Sequence, residues 1–322
     1  MKQILITGAA GMIGSHLVDI LLEKHFQVIG LDTFEVGVKS NLPINKNFKL
    51  IEGSVLEKPL IENLIEKVDA VVHLATLKKG SNLHESRSTL RLITQSADLI
   101  LDASYRLGKR VVLASTSDVY GYGTSFPFKE SDSVSYGPFN TRRWAYATAK
   151  QYTEQLAFDY AHDNLDVRII RYFGGFSERS CSGWQGGHLP IFIKKILEKE
   201  TLEIHGDGSQ TRCVTYGADL AMGTYLALIT EGVQGELFNI GGTEEISVKN
   251  AALKIAEIAG VEEPKINYIN TTEIFGTYRE ILRRLPCLDK AKNLLGYEPQ
   301  WNFEKGVKKM ISSYNSKVKS SE

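Results

Sequence analysis

Hydrophobic and polar positions along the first half of the chain switch repeatedly between two patterns. Short apolar runs alternate with longer stretches in which apolar residues recur at helical spacing, as over about 57–67 and 90–107. Strands that alternate with helices imply a parallel sheet with helices on both faces, so the sequence predicts a doubly wound α/β fold. The runs that predict strands are 3–7, 27–32, 48–53, 69–75, 110–115 and 166–172.

The pattern changes beyond residue 173. Residues 174–188 are rich in Gly and Ser and lack periodicity, which is typical of a long loop that closes over a substrate. Shorter helices and small strands follow, including helices over about 218–230 and 247–259. We therefore predict a first domain over 1–173 and a smaller mixed α/β lobe over 174–322 that mainly binds the substrate.

A glycine-rich turn follows the first predicted strand. Gly8, Gly11 and Gly14 lead into a helical pattern that starts at Ile13, and the second predicted strand ends at Asp32. This order is that of a Rossmann-type dinucleotide site, in which the glycines let backbone N–H groups approach the pyrophosphate. Asp32 would accept hydrogen bonds from the ribose and repel a 2′-phosphate, which predicts NAD rather than NADP. The Gly-Lys-Ser/Thr ending of an ATP-binding P-loop is absent from this sequence.

Two further stretches carry candidate chemistry. Tyr146 and Lys150 stand four residues apart among helix formers, so both leave the same helix face. A tyrosine beside an ammonium group can act as an acid and base, because the positive charge favours the phenolate. Residues 115–121, Ser-Thr-Ser-Asp-Val-Tyr-Gly, follow a predicted strand and are either caps for a turn or catalytic groups. His73, which follows an apolar strand, is interpreted as structural.

Composition narrows the class of protein. Of 322 residues, 43% are hydrophobic, and Lys+Arg and Asp+Glu both number 38. Because these charges balance, the protein has no overall electrostatic field that would attract nucleic acid or an acidic membrane. No apolar run approaches a membrane span, and we expect no metal site and a cytoplasmic protein. The few cysteines form no disulfide framework, which fits a reducing compartment; they are Cys181, Cys213 and Cys287.

These motifs together resemble the extended short-chain dehydrogenase/reductase family, in its branch of nucleotide-sugar epimerases, dehydratases and decarboxylases. The resemblance covers nearly the whole chain. The arginine-tryptophan before Tyr146 and the RRLP stretch make UDP-glucuronate decarboxylases the most similar in motif. The motifs are TGAAGMIG (7–14), HLA (73–75), STSDVYG (115–121), YATAK (146–150), IHGDGSQTR (204–212), RRLP (283–286) and LGYEP (295–299).

The resemblance implies a set of site residues. Tyr146 would take the proton of the sugar 4-hydroxyl while a hydride moves from C4 to NAD. Lys150 would hold the nicotinamide ribose and keep Tyr146 acidic, and Thr116 would hydrogen-bond the 4-hydroxyl. The implied cofactor-binding residues are Gly8, Gly11, Met12, Ile13, Gly14, Asp32, Ser54, Leu74, Ala75, Tyr146 and Lys150. The implied substrate-binding residues are Ser117, Arg212 and Arg284, the two arginines for the diphosphate.

Asp118 distinguishes between reactions within the branch. Similar dehydratases and decarboxylases carry an acid there, whereas similar epimerases carry small hydroxyl residues. The expected substrate is a nucleotide-diphosphate sugar, with a UDP-sugar favoured, and the expected reaction is decarboxylation or 4,6-dehydration. A 4-epimerase, a C4 dehydrogenase/reductase and an idle NAD-binding protein stay open as alternatives.

Four departures from the family pattern leave the sugar and the nucleotide open. Asp118 replaces the usual Glu, Gly174 an Asn that touches the sugar-nucleotide, Ser54 an adenine-binding Asp, and Cys213 a common Asp. Lys39 and Arg179 match no family position and are interpreted as surface charges.

We also expect a homodimer, because similar enzymes pair the helices near 90–107 and 143–162 with the same helices of a second subunit. The apolar residues expected at that seam include Leu92, Leu99, Leu101, Leu156 and Phe158.

Overall fold

In the computed structural model, the described residues are 1–77, 86–181, 187–270 and 280–319. The strands, numbered in chain order, are β1 Gln3–Thr7, β2 Gln27–Asp32, β3 Phe48–Glu52, β4 Ala70–His73, β5 Arg110–Thr116, β6 Val167–Tyr172, β7 Gly175–Phe176, β8 Leu202–His205, β9 Thr211–Cys213, β10 Thr215–Tyr216, β11 Leu237–Ile240, β12 Glu245–Ser247 and β13 Ile266–Ile269. The helices are α1 Met12–Glu23, α2 Lys58–Glu66, α3 Ser86–Arg106, α4 Ala145–His162, α5 His188–Leu197, α6 Gly217–Ile229, α7 Val248–Ala259, α8 Asp289–Leu295 and α9 Phe303–Lys319.

A parallel sheet forms the centre of the molecule. Its strand order is β3-β2-β1-β4-β5-β6-β11, and each neighbouring pair is parallel. This is the predicted doubly wound Rossmann-type fold, in which the order turns back between β1 and β4. Ligands bind such sheets at the carboxyl ends of the strands, so the order itself indicates where the site lies.

Alternation along β1 divides the core into two layers. Ile4 and Ile6 are fully buried on one face against α1 and α6, whereas Leu5 is buried on the other against α2, α3 and α4. A strand buried on both faces reads as a continuous apolar run, which explains why the pattern predicted β1 and β2 to the residue.

The C-terminal part forms a second core around α5, α7 and α9. Short two-stranded sheets accompany it, the parallel pairs β8–β13 and β7–β10 and the antiparallel pair β9–β12. The chain nevertheless crosses the boundary predicted at residue 173, because β11 adds the last strand to the central sheet and α6 packs on α1. Sequence periodicity marks elements and not their partners, so this return could not be read from the pattern.

Two other expectations change. Residues 174–188 contain β7 and the first residue of α5 in addition to loop, and 182–186 lie outside the described residues. Leu101 is fully buried in the core and cannot contribute to a seam between subunits, whereas Leu92, Leu99, Leu156 and Phe158 are partly buried. In the described part of the chain, no helix combines the length and apolar character needed to cross a membrane.

Candidate active site

A cavity of about 560 Å³ lies at the carboxyl ends of the central strands, between them and the C-terminal part. Every residue that the sequence predicted for the site lines this cavity. They are Gly8, Gly11, Met12, Ile13, Gly14, Asp32, Ser54, Leu74, Ala75, Thr116, Ser117, Asp118, Tyr146, Lys150, Arg212 and Arg284.

The glycine turn forms one end of the cavity and has no room for larger residues. Gly8 has a φ of +72°, and a Cβ there would lie 2.9 Å from the backbone nitrogen of Ala75. A Cβ on Gly14 would overlap the carbonyl oxygen of Gly8. Gly11 caps α1, whose first turn carries no acidic residue. The N-terminus of α1 therefore presents N–H groups and a positive dipole to the cavity, which fits the pyrophosphate of a dinucleotide.

Asp32, the last residue of β2, lies against the glycine turn. Its two carboxylate oxygens accept hydrogen bonds from the backbone N–H groups of Ala10 and Phe34, both at 2.9 Å. Gly37 packs against it so closely that a Cβ would lie 2.9 Å from both oxygens. A carboxylate has about four acceptor positions, so Asp32 keeps capacity for the ribose hydroxyls of NAD. These residues fit the adenosine half of the cofactor.

Ser54 lies at the same end of the cavity. Its hydroxyl accepts the Leu56 N–H at 3.2 Å, and its own N–H donates to the Glu57 carboxylate at 2.8 Å. The side chain thus shapes the turn before α2 in addition to lining the cavity.

Thr116 caps a turn and also lies beside Tyr146. Its hydroxyl oxygen accepts the Asp118 N–H at 3.2 Å and so caps the short 3₁₀ turn Ser117–Tyr120. The same side chain hydrogen-bonds Tyr146, which also contacts the hydroxyl of Thr76. A hydroxyl partner therefore stands beside the candidate acid/base group.

Lys150 is buried one turn further along α4. Its ammonium donates to the carbonyl oxygen of Ala114 at 2.7 Å. Burial lowers its pKa to about 8, against the opposing effect of the Glu154 carboxylate.

The pKa of Tyr146 is raised, and not lowered as the Tyr-Lys pairing suggested. The main cause is desolvation at the cavity wall, followed by the charge of the Asp118 carboxylate, and the hydrogen bonds from Thr76 and Thr116 offset these only in part. Within the protein alone, Lys150 therefore does not make Tyr146 acidic. NAD⁺, when bound, would add a positive charge on its nicotinamide ring, and such a charge favours the phenolate.

Two arginines meet at Asp118. This carboxylate is 2% exposed, and one of its oxygens pairs with the Arg284 guanidinium and lies 3.6 Å from that of Arg143. Arg284 comes from the segment before α8 and Arg143 from the 3₁₀ turn before α4. Two cations beside one buried anion give this part of the cavity an excess of positive charge.

Arg212 lies on β9, on the C-terminal side of the cavity. It pairs with Glu280 at 2.7 Å and donates to the Thr211 carbonyl at 2.8 Å. Its charge also helps lower the pKa of His188 to about 4, after burial, so this imidazole is neutral near pH 7.

Gly174 and Cys213 are in direct backbone contact. Gly174 has a φ of +53°, and a Cβ there would overlap the carbonyl oxygen of Cys213. The Cys213 thiol donates to the Gly242 carbonyl at 3.2 Å, and burial raises its pKa to about 11. This backbone therefore leaves no space for a side chain at 174.

Sequence reasoning missed several residues in or beside the cavity. Thr76, which follows the HLA motif directly, and His188, which begins α5, both line it. Arg143, within the RRWAY stretch, lies beside the cavity through its contact with Asp118. Arg179 is not the surface charge that was expected, because it lines the cavity and pairs with Asp19 at 2.6 Å. Thr76 and Arg143 could have been identified from the sequence, because Thr76 directly follows one motif and Arg143 lies within another. Nothing in the local sequence distinguishes Arg179 from an ordinary exposed arginine.

His73 has a structural environment. Its ring nitrogens face the hydroxyls of Thr7 at 2.8 Å and Ser96 at 3.1 Å. Burial and the nearby Lys150 lower its pKa to about 3, so it stays neutral between β4 and α3.

Comparison with known proteins finds relatives along nearly the whole chain. Residues 4–241 match the model of the NAD dependent epimerase/dehydratase family. The chain is 36% identical to UDP-N-acetyl-alpha-D-glucosaminuronate decarboxylase of Bacillus cytotoxicus, over 96% of this chain and 97% of that protein. It is 32% identical to UDP-glucuronic acid decarboxylase 4 of Arabidopsis thaliana, over 98% of this chain and 69% of that protein.

A solved structure extends the comparison to three dimensions. UDP-glucuronic acid 4-epimerase from Bacillus cereus, in complex with UDP-glucuronic acid and NAD, superposes with a TM-score of 0.87 at 28% identity. The match covers 98% of this chain and 99% of that one.

Proposed function

The chain belongs to the NAD-dependent epimerase/dehydratase family, and we propose that it decarboxylates a nucleoside-diphosphate hexuronate after transient oxidation at C4. A UDP-sugar is the favoured substrate. The observation that carries the proposal is the meeting of Arg143 and Arg284 at the buried Asp118, a residue that lines the same cavity as Tyr146. Guanidinium groups bind carboxylates with paired N–H bonds, so excess positive charge here suits a sugar with its own carboxylate.

The roles of the protein groups follow from their positions. NAD, when bound, accepts a hydride from C4 of the sugar and later returns it. Tyr146 takes the proton of the 4-hydroxyl, and Thr116, its hydrogen-bond partner, orients that hydroxyl. Arg143 and Arg284 hold the carboxylate at C6. The sequence predicted Arg284 for the diphosphate, but its pairing with Asp118 favours a place beside the sugar. Asp118 is the acid/base group for the proton at C5.

Oxidation at C4 makes the decarboxylation possible. A ketone at C4 turns the C6 carboxylate into a β-keto acid, so the C5–C6 bond breaks with release of carbon dioxide. The electron pair moves from that bond onto the C4 oxygen as an enolate, and a proton that Asp118 takes from solvent then adds at C5. Reduction of the C4 ketone by the bound cofactor, with Tyr146 returning its proton to the C4 oxygen, would give the pentose.

The relatives support this substrate class, since all three names refer to UDP-linked uronic acids. The first test uses the purified protein with NAD and, separately, UDP-glucuronate, UDP-N-acetylglucosaminuronate and UDP-glucose. Mass spectrometry should show loss of carbon dioxide from at least one of the uronates. UDP-glucose has no carboxylate and is the control. Loss of water from any of the three would favour a dehydratase instead.

A 4-epimerase is the second candidate, supported by the likeness to UDP-glucuronic acid 4-epimerase. Epimerisation leaves the mass unchanged and inverts C4, which proton NMR detects. Asp118→Asn separates the candidates, because it removes the charge without changing the shape of the side chain. A decarboxylase should lose most of its rate, whereas an epimerase, which moves no proton at C5, should largely keep it.

We also propose a cytoplasmic homodimer, paired through α3 and α4. Both helices carry large exposed aromatic residues, Tyr105 at 43% and Tyr152 at 46% exposure. Such side chains are common in interfaces. Light scattering should give twice the mass of one chain, and a mass near 35.9 kDa would contradict the dimer.

A further inference from the structure

Residues 177–180, which follow β7, form a tight turn that packs on the first turns of α1. The turn is fixed internally, because the Ser180 N–H donates to the Ser177 carbonyl at 3.0 Å and the Ser177 N–H to the Ser180 hydroxyl at 3.1 Å. The Ser180 hydroxyl lies 3.2 Å from the sulfur of Met12, the first residue of α1. One helical turn later, the buried His16 hydrogen-bonds the Ser177 hydroxyl at 3.0 Å.

Arg179 ties this turn to two further elements. Its guanidinium pairs with Asp19 of α1 at 2.6 Å and donates to the Asn41 carbonyl at 3.4 Å. The side-chain amide of Asn41 donates to the carbonyl oxygens of Arg179 and Ala10, both at 3.2 Å. Asn41 ends the 3₁₀ turn Lys39–Asn41, and Ala10 belongs to the glycine turn. These contacts form a closed ring from α1 through Arg179 and Asn41 to the glycine turn, here called the clasp.

The clasp borders the part of the cavity that fits the pyrophosphate. Gly11 and Met12, where α1 begins, line the cavity together with Arg179 and Ser180. A group bound at the N-terminus of α1 is therefore bounded both by the glycine turn and by the clasp. Asp19 lies two helical turns further along α1, outside the lining of the cavity. Its carboxylate thus acts on the clasp without facing the cofactor site.

We propose that the clasp is the gate through which NAD enters and leaves, with Arg179 as the positioning residue that holds it shut. Opening separates Arg179 from Asp19 and Asn41, which gives the pyrophosphate a path to solvent. Arg179 and Asp19 are 22% and 32% exposed, so their ion pair is partly screened and can break without unfolding the site. The inference concerns the cofactor of the family and does not depend on which sugar reaction the chain performs.

The first experiment measures the release of NAD from the loaded protein in the absence of any sugar. Protein that carries carbon-14 NAD is mixed with a large excess of unlabelled NAD, and the bound label is followed with time. Arg179→Gln should release NAD about tenfold faster, because it loses both the ion pair and the hydrogen bond to Asn41. An unchanged rate in the folded variant would overturn the proposal.

Glu304→Gln is the matched control for the loss of an ion pair. It breaks the contact between Glu304 and Lys308 on α9, which has the same length of 2.6 Å and no place in the clasp. Its release rate should equal that of the unmodified protein. Faster release in this variant as well would show that loss of any ion pair loosens the cofactor, which would contradict a specific gate.

Asp19→Asn separates a gate from a direct contact between Arg179 and a phosphate. This variant removes the ion pair but keeps the guanidinium group beside the cavity. A gate predicts release about threefold faster. A direct contact predicts equal or slower release, since a guanidinium freed from Asp19 would bind the phosphate more strongly. Equal or slower release would therefore contradict the gate.

Entry gives an independent readout, because NAD passes the same gate in both directions. Calorimetry gives the Kd for NAD, and the release rate constant divided by this Kd gives the entry rate constant. Both rate constants should rise together in Arg179→Gln, so its Kd should change by less than about threefold. A Kd that rises as much as the release rate would show that Arg179 holds the cofactor directly and is no gate. These measurements need no sugar, so failure of the proposed reaction and failure of this inference are separate results.

Discussion

Tyr146 and Tyr152 belong to the same helix, but their hydroxyl groups have different hydrogen-bond partners and different exposure. Tyr146 lines the cavity and hydrogen-bonds Thr116, whereas Tyr152 is exposed and donates to Asp98 at 3.0 Å. The chemical change from Tyr to Phe is therefore identical at the two positions, and only the contacts differ. The pair allows the effect of one catalytic hydroxyl to be separated from the effect of altering the helix.

We expect Tyr146→Phe to lower kcat by about 10²–10⁴-fold, the usual contribution of a general acid/base group. Initial rates of product formation and calorimetric titration with NAD measure the effect, and NAD affinity should change little. Tyr152→Phe is the matched control and should keep nearly the full rate. Comparable rates in the two variants would exclude Tyr146 as the acid/base group.

A second prediction at the scale of one residue concerns Gly174. Gly174→Ala should lower the free energy of unfolding by more than Gly260→Ala, although both glycines have positive φ, +53° and +71°. A side chain at 174 meets the Cys213 carbonyl, whereas nothing lies within 4 Å of a Cβ at 260. Backbone strain costs of order 1–3 kcal/mol at either site, and the overlap adds to it only at 174. Thermal unfolding of both variants measures the difference, and equal losses would show that the loop simply moves aside.

At the scale of elements, the turn after β5 organises the reacting part of the cavity. Thr116 ends the strand and caps the 3₁₀ turn, which places the buried Asp118 in the wall of the cavity. The turn before α4 and the segment before α8 then each contribute one arginine to that carboxylate. Three elements distant in sequence thus assemble one charged cluster, and each can be altered separately.

Arg143→Gln should raise KM for a UDP-hexuronate by about tenfold, because one charge-assisted contact of about 1.5 kcal/mol is lost. Affinity for NAD should be unaffected, since Arg143 lies away from the glycine turn. Steady-state kinetics check the first expectation and calorimetry the second. Arg142→Gln is the control, since Arg142 is its exposed neighbour. If both variants raise KM equally, Arg143 has no specific contact with the substrate.

At the scale of the whole molecule, sequence periodicity predicted the sheet because its strands are short, buried runs. The glycine turn, Asp32 and the Tyr146–Lys150 face were also predictable, since each depends on local spacing. The cluster at Asp118 was not, because Arg284 lies 166 residues further along the chain. The sequence also did not predict that β11 joins the central sheet, since a buried apolar run does not show which sheet it belongs to.

The buried ion pair between Glu154 and Arg171 was also not predicted, for a related reason. A glutamate in an amphipathic helix is most often solvated, and only the positions of β5 and β6 show that this one is enclosed by Ser115 and Arg171. Charges that act across elements are a property of the assembled fold.

The most direct measurement uses UDP-glucuronate and UDP-N-acetylglucosaminuronate that carry deuterium at C4, incubated with the enzyme and NAD. Mass and NMR spectra of the product report both the lost carbon dioxide and the position of the label. Transient oxidation with return of the hydride predicts a decarboxylated product from at least one substrate that retains deuterium at C4. A product that keeps its carboxylate, or one that has lost the deuterium, would contradict the proposed reaction.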